Sequence, residues 1–402
     1  MTVLMALPRD TMDNPPPRRE HYCHPRWLPF STRLEPSSRH VHPHVTCHDE
    51  GLSTGILWIT LMAGENTSMS FHSRFRNRWT DPQPSRESHL DVYALCMTSH
   101  VVDQLGPTLV IHGGAGNVPP RTGEDAKRFR LSLRHAFDAG QAVLDAGGPA
   151  LDAVTASVVA MEDDPLFNAG RGGVLTAKGT VETDAAVMTG HGRAGAVCCS
   201  RHARNPIRLA RAILAMSPHV LLCDPPEQVC RGWGLEVEPP EYFVTDARRE
   251  QLERVLAGRH QAPRHGTVGA VARDYHGHLA AATSTGGIVA SSVGRIGDSP
   301  VVGAGTFARD GVVAVSCTGD GEAFLQGVVA HEVDARMRLA GEPVNHAAMG
   351  ALTDEVSSRV TDGAPATGGL IAVDASGRLV VCHVSASMLA AWPDHGEVLT
   401  SV

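Results

Sequence analysis

Apolar residues recur along most of the chain with two periods, one typical of helices and one typical of strands. From residue 124 to residue 144 an apolar side chain returns every three or four positions, and Gly147-Gly148 follows. This spacing predicts an amphipathic helix that ends before the two glycines. The same period predicts further helices at residues 151–162, 206–216, 248–256, 322–339 and 345–359.

Shorter segments are apolar at successive positions, which is the pattern of strands covered on both faces. Two of them, residues 267–272 and 279–283, are separated by Asp274-Tyr275-His276-Gly277, a turn sequence that predicts a hairpin. Because helices alternate with buried strands, the predicted fold class is α+β, with helix, sheet, sheet and helix layers in an αββα sandwich. Other strands are predicted at residues 108–112, 311–317, 370–373 and 379–384.

The first 105 residues differ from the rest of the chain in composition and in periodicity. They are rich in proline, histidine, arginine and serine, and they have no sustained helix or strand period. We therefore predict an irregular, disordered extension over residues 1–105 and one folded domain over residues 106–402. An interaction module and translation from a start near Met97 are two alternative interpretations of the extension. A loose cluster of histidines and cysteines in this segment matches no four-ligand zinc spacing; its members are His21, Cys23, His24, His40, His42, His44, Cys47 and His48.

Charge and composition exclude several classes of partner. The 402 residues carry a formal net charge of −8, and Lys127 and Lys178 are the only lysines, so neither nucleic acid nor an anionic membrane is expected to bind. The longest apolar run near the start, residues 55–63, is shorter than the roughly 20 residues of a membrane-spanning helix. No signal peptide pattern precedes it, and the nine cysteines form no regular framework, which is typical of reduced thiols. We expect a cytoplasmic protein that acts on a small molecule or peptide.

Two short glycine motifs have weaker explanations. Gly190-His191-Gly192-Arg193-Ala194-Gly195 fits a dinucleotide-binding pattern, but the AVCCS that follows is typical of a strand rather than a helix, which predicts a hairpin loop. Gly51-Leu52-Ser53-Thr54-Gly55 fits a nucleophile elbow, with His112-Gly113-Gly114 as its oxyanion motif. Since the two segments stand in the reverse of the α/β-hydrolase order, the elbow is not expected to act.

Six motifs follow one another in a single order from about residue 108 to the C-terminus. They are HGGAG at 112–116, DDPLFNAG at 163–170, HGTVGAVA at 265–272, ATSTGG at 282–287, GRIGDSP at 294–300 and CTGDGE at 317–322. In these motifs the chain resembles the plant-type asparaginase and isoaspartyl peptidase family of N-terminal nucleophile hydrolases. The resemblance implies their αββα fold and hydrolysis of L-asparagine to aspartate and ammonia, removal of β-aspartyl residues from dipeptides, or both.

The resemblance implies that the chain cuts itself between Gly266 and Thr267. Residues 106–266 would then belong to an α subunit, and residues 267–402 would form a β subunit with Thr267 as its first residue and nucleophile. The chemistry of threonine agrees, because its hydroxyl is inert at neutral pH until a base removes the proton. A free α-amine, with a pKa of about 7.7 to 8.0, is such a base within the same residue.

The resemblance also assigns roles to residues outside the cut. Thr285 would support the nucleophile, Thr318 and Gly319 would form an oxyanion hole, and Asn168 would hold the nucleophile or the substrate. Charge on the attacked carbonyl oxygen needs such fixed donors. No organic cofactor is implied, and the partner is an amino acid or β-aspartyl peptide.

Arg295 and Asp298 match the pair that grips the aspartyl group, the guanidinium on its α-carboxylate and the carboxylate on its α-ammonium. An arginine fork fits a carboxylate geometrically. The remaining substrate-binding residues implied by the resemblance are Ile296, Gly297, Thr318, Gly319, Asp320 and Gly321. A structural Na⁺ or K⁺ is implied as well, bound by the backbone carbonyls of Glu162, Asp164, Phe167, Ala169 and Arg171.

Three hypotheses for the whole protein stay open. The first is the asparaginase or isoaspartyl peptidase, working as a dimer of cleaved α/β heterodimers. The second is a sister enzyme such as glycosylasparaginase or a threonine endopeptidase of the taspase type, and the third is a non-cleaving relative that only binds. Gly173 and Arg273 depart from the family pattern, but neither stands at an implied catalytic position.

Overall fold

The computed structural model describes residues 56–62, 67–74, 95–117, 119–258, 266–361 and 363–402. Strands make up two large sheets and one short pair within these ranges. They are β1 (Ile56–Met62), β2 (Thr67–Arg74), β3 (Leu95–Asp103), β4 (Thr108–Gly116), β5 (Thr183–Thr189), β6 (Ala194–Ser200), β7 (Leu221–Cys223), β8 (Val268–Arg273), β9 (Leu279–Thr285), β10 (Thr306–Arg309), β11 (Val313–Gly319), β12 (Val360–Thr361), β13 (Ala364–Pro365), β14 (Gly368–Asp374), β15 (Arg378–His383), β16 (Ser387–Asp394) and β17 (Glu397–Ser401).

Helices connect the strands. They are α1 (Gly123–Asp145), α2 (Ala150–Asp163), α3 (Pro206–Met216), α4 (Glu227–Gly232), α5 (Pro240–Phe243), α6 (Asp246–Leu256), α7 (Gly321–Gly327), α8 (Val329–Ala340) and α9 (Val344–Ala351). A single 3₁₀ turn occupies Gly170–Gly172, and a π-helical turn at Leu352–Ser357 continues α9.

The eight-stranded sheet has the order β17-β16-β4-β8-β9-β5-β6-β7, and the seven-stranded sheet has the order β1-β2-β3-β15-β14-β11-β10. Neighbouring strands are antiparallel, apart from the parallel β6 and β7. Strand β8 lies inside its sheet, paired with β4 on one side and with β9 on the other. The chain entering β8 is therefore fixed by two neighbours.

The two sheets pack face to face, and helices cover the outer faces. Strands β4 and β8 contact β14 and β11, while α1, α2 and α3 lie on the eight-stranded sheet and α8 and α9 on the other. Successive residues of a strand point to opposite faces, so Val110 and Val271 join the core between the sheets. Their neighbours Ile111 and Ala270 join the core under α1 and α2. The predicted helix, sheet, sheet and helix layers are present.

Most predicted helices are found at their expected places, including α3 with the predicted bounds. The predicted helix at 322–339 is instead two helices, because Val328 adopts a left-handed backbone conformation with φ of 48° and interrupts the hydrogen bonding. The loop at residues 190–193 joins β5 to β6, as predicted for a hairpin. Of these two strands, the sequence predicted only the AVCCS segment of β6, and β5 was not predicted.

The structure differs from the predicted boundary at residue 105. Strand β3 lies before it and pairs with β15, for example Val102 with Leu379. The Val102 side chain is buried, and β1 and β2 extend the same sheet. The sequence signal is short because the Val101-Val102 pair is flanked by serine, histidine and aspartate. Pairing with β15 supplies the stabilisation that local periodicity lacks.

Some sequence predictions fall on other parts of the chain. The histidine and cysteine cluster at residues 21–48 and the elbow at residues 51–55 lie outside the described residues. Across the part of the chain that the structure covers, no helix has the length and apolar character needed to cross a membrane. Six cysteines between residues 198 and 382 are free thiols, and five of them are buried: Cys198, Cys199, Cys230, Cys317 and Cys382.

Candidate active site

A pair of threonines lies where β8 begins and β9 ends. Because Val268 pairs with Ser284 in the antiparallel register, Thr267 lies beside Thr285. The Thr267 hydroxyl donates to the Thr285 hydroxyl, with 3.3 Å between the oxygen atoms, and Thr285 Oγ1 also accepts the Gly287 N–H at 3.1 Å. Only 7% of Thr267 is exposed. The predicted nucleophile is therefore held in place and nearly closed off from solvent.

A small cavity beside this pair collects residues from four of the six motifs. Charged side chains of both signs and glycine backbone line it, so polar groups face one confined space. The structure thus brings together most of the residues that the resemblance assigns to catalysis and substrate binding. Its lining includes Thr267, Thr285, Arg295, Asp298, Gly319 and Gly321.

The residue before the predicted cut lies in a tightly packed position that only glycine fits. A Cβ atom on Gly266 would lie 2.7 Å from the Cβ of Asn168, closer than carbon atoms approach without displacement. A Cβ on Gly114, which has φ of +117°, would lie 2.9 Å from the Gly266 Cα. The HGGAG and DDPLFNAG segments therefore both pack tightly against Gly266, the residue before the predicted cut.

Asn168 anchors the loop that follows β9. Its Nδ2 donates to the Gly287 carbonyl at 2.8 Å, its Oδ1 accepts the Val174 N–H at 2.8 Å, and its own carbonyl accepts the Gly286 N–H at 3.0 Å. In the uncut chain the amide thus positions the backbone beside Thr285. A direct contact of Asn168 with nucleophile or substrate stays a prediction.

Thr318 and Asp320 fix the backbone around the predicted oxyanion residue. Thr318 Oγ1 accepts the Ala115 N–H at 3.3 Å, which ties β11 to the HGGAG segment of the other sheet. Asp320 exchanges two hydrogen bonds with Thr367, its N–H with the carbonyl at 2.9 Å and its Oδ2 with the N–H at 2.8 Å. Gly319, between them, has a φ of +150° that a side chain would disfavour. Asp320 therefore shapes the turn.

The Arg295 guanidinium pairs with Glu322, a residue that the sequence analysis did not select. Nε lies 2.9 Å from Glu322 Oε1 and Nη2 lies 3.0 Å from Oε2, which is a two-point fork. Arg295 is the more enclosed partner, with 16% of its side chain exposed against 45% for Glu322. Glu322 therefore orients the fork from the outer side. The CTGDGE motif includes Glu322, but the motif alone does not show that this residue pairs with Arg295.

Asp298 is the buried acid of the cavity. Only 4% of it is exposed, and its Oδ2 has no hydrogen-bond partner among the described residues. Burial raises the pKa of Asp298 to about 7, while its own backbone N–H and the nearby Arg295 charge act in the opposite direction. A Cβ on Gly321 would lie 2.9 Å from Arg295 Nη2 and 3.0 Å from Asp298 Oδ1. The two charged groups thus converge over Gly321.

The loop between Arg295 and Asp298 hangs on a second buried acid, Asp184. Its Oδ2 accepts the Gly297 N–H at 3.3 Å and its Oδ1 accepts the Cys199 N–H at 2.8 Å. Burial raises the pKa of Asp184 to about 6, against the effect of these hydrogen bonds. Ile296, by contrast, is exposed. An acid inside the apolar strand β5 was a usable signal that the sequence analysis missed.

A chain of buried polar groups runs between the sheets behind Thr267. His112 Nε2 lies 2.9 Å from Ser316 Oγ, which lies 2.7 Å from Thr283 Oγ1, and Thr306 donates to Thr283 at 2.7 Å. Burial lowers the pKa of His112 to about 3, although a hydrogen bond with the Thr267 backbone favours the charged form. His112 is therefore neutral, and it fixes the backbone of the predicted nucleophile rather than supplying charge.

Glu162 links helix α2 to strand β9. Its Oε1 accepts the Ser284 hydroxyl at 2.6 Å and the Ile207 N–H at 2.9 Å, and its side chain is fully buried. Burial raises the pKa of Glu162 to about 8, so the carboxyl group is largely neutral at pH 7. The sequence analysis assigned only the backbone carbonyl of Glu162, to the cation loop. The hydrogen bond between its side chain and Ser284, the residue before Thr285, is an additional finding.

Two carbonyls of the predicted cation loop, those of Glu162 and Phe167, lie next to the turn Gly170–Gly172. A Cβ on Gly170 would lie 2.6 Å from the Glu162 carbonyl, and one on Gly172 would meet the Phe167 carbonyl. The carbonyls of Asp164 and Ala169 already accept backbone N–H groups, which leaves each a second lone pair. An all-oxygen set is compatible with a hard cation. The Arg171 guanidinium lies 5.4 Å from the Tyr242 ring centroid.

A buried threonine hydroxyl beside fixed charges of both signs is an arrangement that can serve hydrolysis of a charged substrate. The asparaginase family profile matches residues 105–401. The chain is 41% identical to the isoaspartyl peptidase of Salmonella typhimurium over 311 residues, covering 73% of this chain and 97% of that protein. It is 40% identical to the isoaspartyl peptidase of Escherichia coli, covering 73% and 94%. It is 38% identical to the human isoaspartyl peptidase/L-asparaginase, covering 71% and 92%. This chain belongs to the asparaginase family.

Proposed function

We propose that this protein is an autoprocessing amidohydrolase with the N-terminal nucleophile hydrolase fold. It hydrolyses L-asparagine, β-aspartyl dipeptides or both. The observation that carries the proposal is the cavity in which the Thr267 and Thr285 hydroxyls lie beside Arg295 and Asp298. The names of the bacterial and human relatives support this hypothesis over a glycosylasparaginase or a taspase-like endopeptidase.

Self-cleavage uses the Thr267 hydroxyl against the preceding peptide bond. Thr267 Oγ1 attacks the Gly266 carbonyl carbon, the C–N bond breaks, and the proton of the hydroxyl ends on the released α-amine. Water then hydrolyses the resulting ester and leaves a carboxylate on Gly266. The tight packing of Gly266 against Asn168 and Gly114 supports this step, because it holds the reacting atoms in one arrangement.

Hydrolysis of the substrate repeats the attack with the freed residue. The α-amine of Thr267 removes the proton from Oγ1, which attacks the side-chain amide carbon of the substrate. The Thr318 hydroxyl and the Gly319 N–H stabilise the negative oxygen. The nitrogen leaves with the proton, as ammonia or as the amine of an amino acid. Water then attacks the aspartyl ester and releases aspartate.

The charged groups of the cavity select the aspartyl part of the substrate. Arg295 binds the α-carboxylate while Glu322 holds the guanidinium in orientation, which the two-point ion pair supports. Asp298 binds the α-ammonium once it is ionised. Its burial and its free Oδ2 support this role, because a substrate ammonium would satisfy an oxygen that lacks a described partner.

Three finer statements belong to the same proposal. The carbonyls of Glu162, Asp164, Phe167, Ala169 and Arg171 hold a structural Na⁺ or K⁺ that stiffens the loop carrying Asn168. The working unit is a dimer of cleaved α/β heterodimers. A cytoplasmic location is supported by the free, buried cysteines, which suit a reducing compartment.

Intact-mass measurement combined with two assays tests the proposal. The purified protein should separate into fragments of residues 1–266 and 267–402 under denaturing conditions, and it should release aspartate from L-asparagine or from a β-aspartyl dipeptide. A protein that stays in one piece and acts on neither substrate would overturn the assignment.

A further inference from the structure

A second, larger cavity lies next to Gly266, the residue before the predicted cut. It is lined by the HGGAG backbone, by Phe129 and Phe167, and by Arg248. Gly266 and Gly287 belong to the linings of both cavities, so they form the partition between them. Once the chain ends at Gly266, this partition loses its covalent attachment to Thr267. A substrate amide at the Thr267 hydroxyl would then lie in the smaller cavity, with the larger one beyond Gly266 and Gly287.

The larger cavity is positively charged. Among the residues that the structure describes, its lining contains the two arginines Arg121 and Arg248 and no acidic residue, although the chain as a whole carries a net charge of −8. Arg121 is already paired with Asp125, 3.3 Å away, and its guanidinium lies 4.0 Å from the Phe129 ring centroid. The cavity therefore favours an anionic ligand.

Arg248 lacks an acidic partner within the described part of the chain. Its Nε donates to the Gly172 carbonyl at 2.6 Å and its Nη1 donates to Gln251 Oε1 at 2.9 Å, both uncharged acceptors. Burial lowers the pKa of Arg248 to about 10, and the group is still cationic at neutral pH. A partly buried arginine fixed by neutral acceptors is available for a carboxylate from outside the protein.

We infer that this cavity binds the leaving amino acid of a β-aspartyl dipeptide, with Arg248 on its free α-carboxylate. The inference rests on the proposed function. The aspartyl half would occupy the cavity with Arg295 and Asp298, and the second residue would lie against Phe129 and Phe167. An apolar second residue fits this lining. L-Asparagine releases only ammonia, so it gains nothing from the cavity.

The test compares β-aspartyl-leucine with β-aspartyl-leucinamide, which differ only in the carboxylate that Arg248 would bind. In the processed wild type, kcat/KM for the free acid should exceed that for the amide by about tenfold or more. In processed Arg248→Gln this preference should fall to nearly one. Because each protein is judged by its own ratio, a general loss of activity does not alter the result.

Arg254→Gln is the matched control, since Arg254 is an exposed arginine on the same helix α6 and is absent from the lining. It should keep the wild-type preference. A wild type that hydrolyses both dipeptides equally well overturns the inference without any variant, as does an Arg248→Gln protein that keeps the preference. A wild type that hydrolyses neither dipeptide nor L-asparagine instead overturns the proposed function.

Discussion

The two cavities that share Gly266 and Gly287 differ in the balance of their charges. On one side Arg295 is matched by Glu322 and by Asp298, so charges of both signs are fixed within a small volume. On the other side Arg248 has neutral acceptors and faces an aromatic lining. A zwitterionic α-carbon requires both signs, whereas the second residue of a dipeptide presents only a carboxylate. Under the proposed function, the first cavity would select the aspartyl group, and the second would select the residue attached to it.

Removing the Thr267 hydroxyl should have the largest effect. Thr267→Ala lacks the hydroxyl that attacks in both self-cleavage and hydrolysis, so we expect one uncut chain of 402 residues and no measurable turnover. Intact mass and aspartate release measure the two outcomes. Thr267→Ser keeps a hydroxyl and serves as the control, with processing retained at a reduced rate. Two fragments from Thr267→Ala would exclude this residue as the source of the cut.

Breaking the charge balance of the aspartyl cavity should come next. Arg295→Leu or Asp298→Ala leaves an opposite charge of the bound substrate unpaired, at a cost of about 2 to 5 kcal/mol. At roughly 1.4 kcal/mol per tenfold, kcat/KM should fall at least about 30-fold for L-asparagine and for β-aspartyl dipeptides alike.

Self-cleavage is the internal control for those variants. The Gly266–Thr267 bond carries no free zwitterion, so both variants should still be processed. If both processed variants turned over β-aspartyl dipeptides at nearly the wild-type rate, the assigned grip would be wrong and the choice among sister enzymes would reopen.

The raised pKa of Asp298 should make substrate binding in the aspartyl cavity depend on pH. With a pKa of about 7, Asp298 is ionised above that value and becomes protonated below it. Only the ionised form pairs with the α-ammonium. We expect KM for L-asparagine to rise by up to about tenfold per pH unit as the pH falls below 7. Steady-state kinetics between pH 5 and pH 8 measure this dependence. Asp298→Asn should show a high KM without it, and an unchanged pH profile in that variant would rule out Asp298 as the titrating group.

A further predicted effect, on stability rather than activity, concerns Glu162, whose carboxyl group links helix α2 to Ser284 of strand β9. Its folded pKa of about 8 lies above the ordinary value of 4.5, so the folded state retains a proton that the unfolded state loses. The free energy of unfolding should therefore fall as the pH rises from about 5 to 8, by at most about 1.4 kcal/mol per pH unit. Urea unfolding of uncut Thr267→Ala protein measures it. Adding Glu162→Gln should flatten this dependence, and an identical slope would contradict the assignment.

The sequence predicts local features better than contacts across the sheets. Helix α3 has the predicted bounds because its proline start and apolar spacing are local signals. The break at Val328 has only a weak local signal, the adjacent Gly327, and a β-branched residue rarely adopts a left-handed conformation. The pairing of β3 with β15 is likewise decided by a partner far along the chain. Periodicity cannot report such a partner.

The candidate site shows the same limit. The motifs identified Thr267, Thr285 and Arg295, and the structure brings these residues to one cavity. It also shows residues that hold them in place: Glu322 pairs with Arg295, and His112 hydrogen-bonds to the Thr267 backbone. These contacts depend on how two sheets pack, so residue type and spacing did not reveal them.

The strand order has a consequence for the history of each molecule. A cut before β8 would leave β4 and β5 on the first piece and β16, β8 and β9 on the second, so the pieces alternate across the eight-stranded sheet. Separating them would require the strand pairs β16–β4, β4–β8 and β9–β5 to break together. The uncut chain assembles this sheet as a single molecule, at a rate independent of dilution. The cut pieces, once unfolded, could restore it only by meeting each other, so recovery would depend on their concentration.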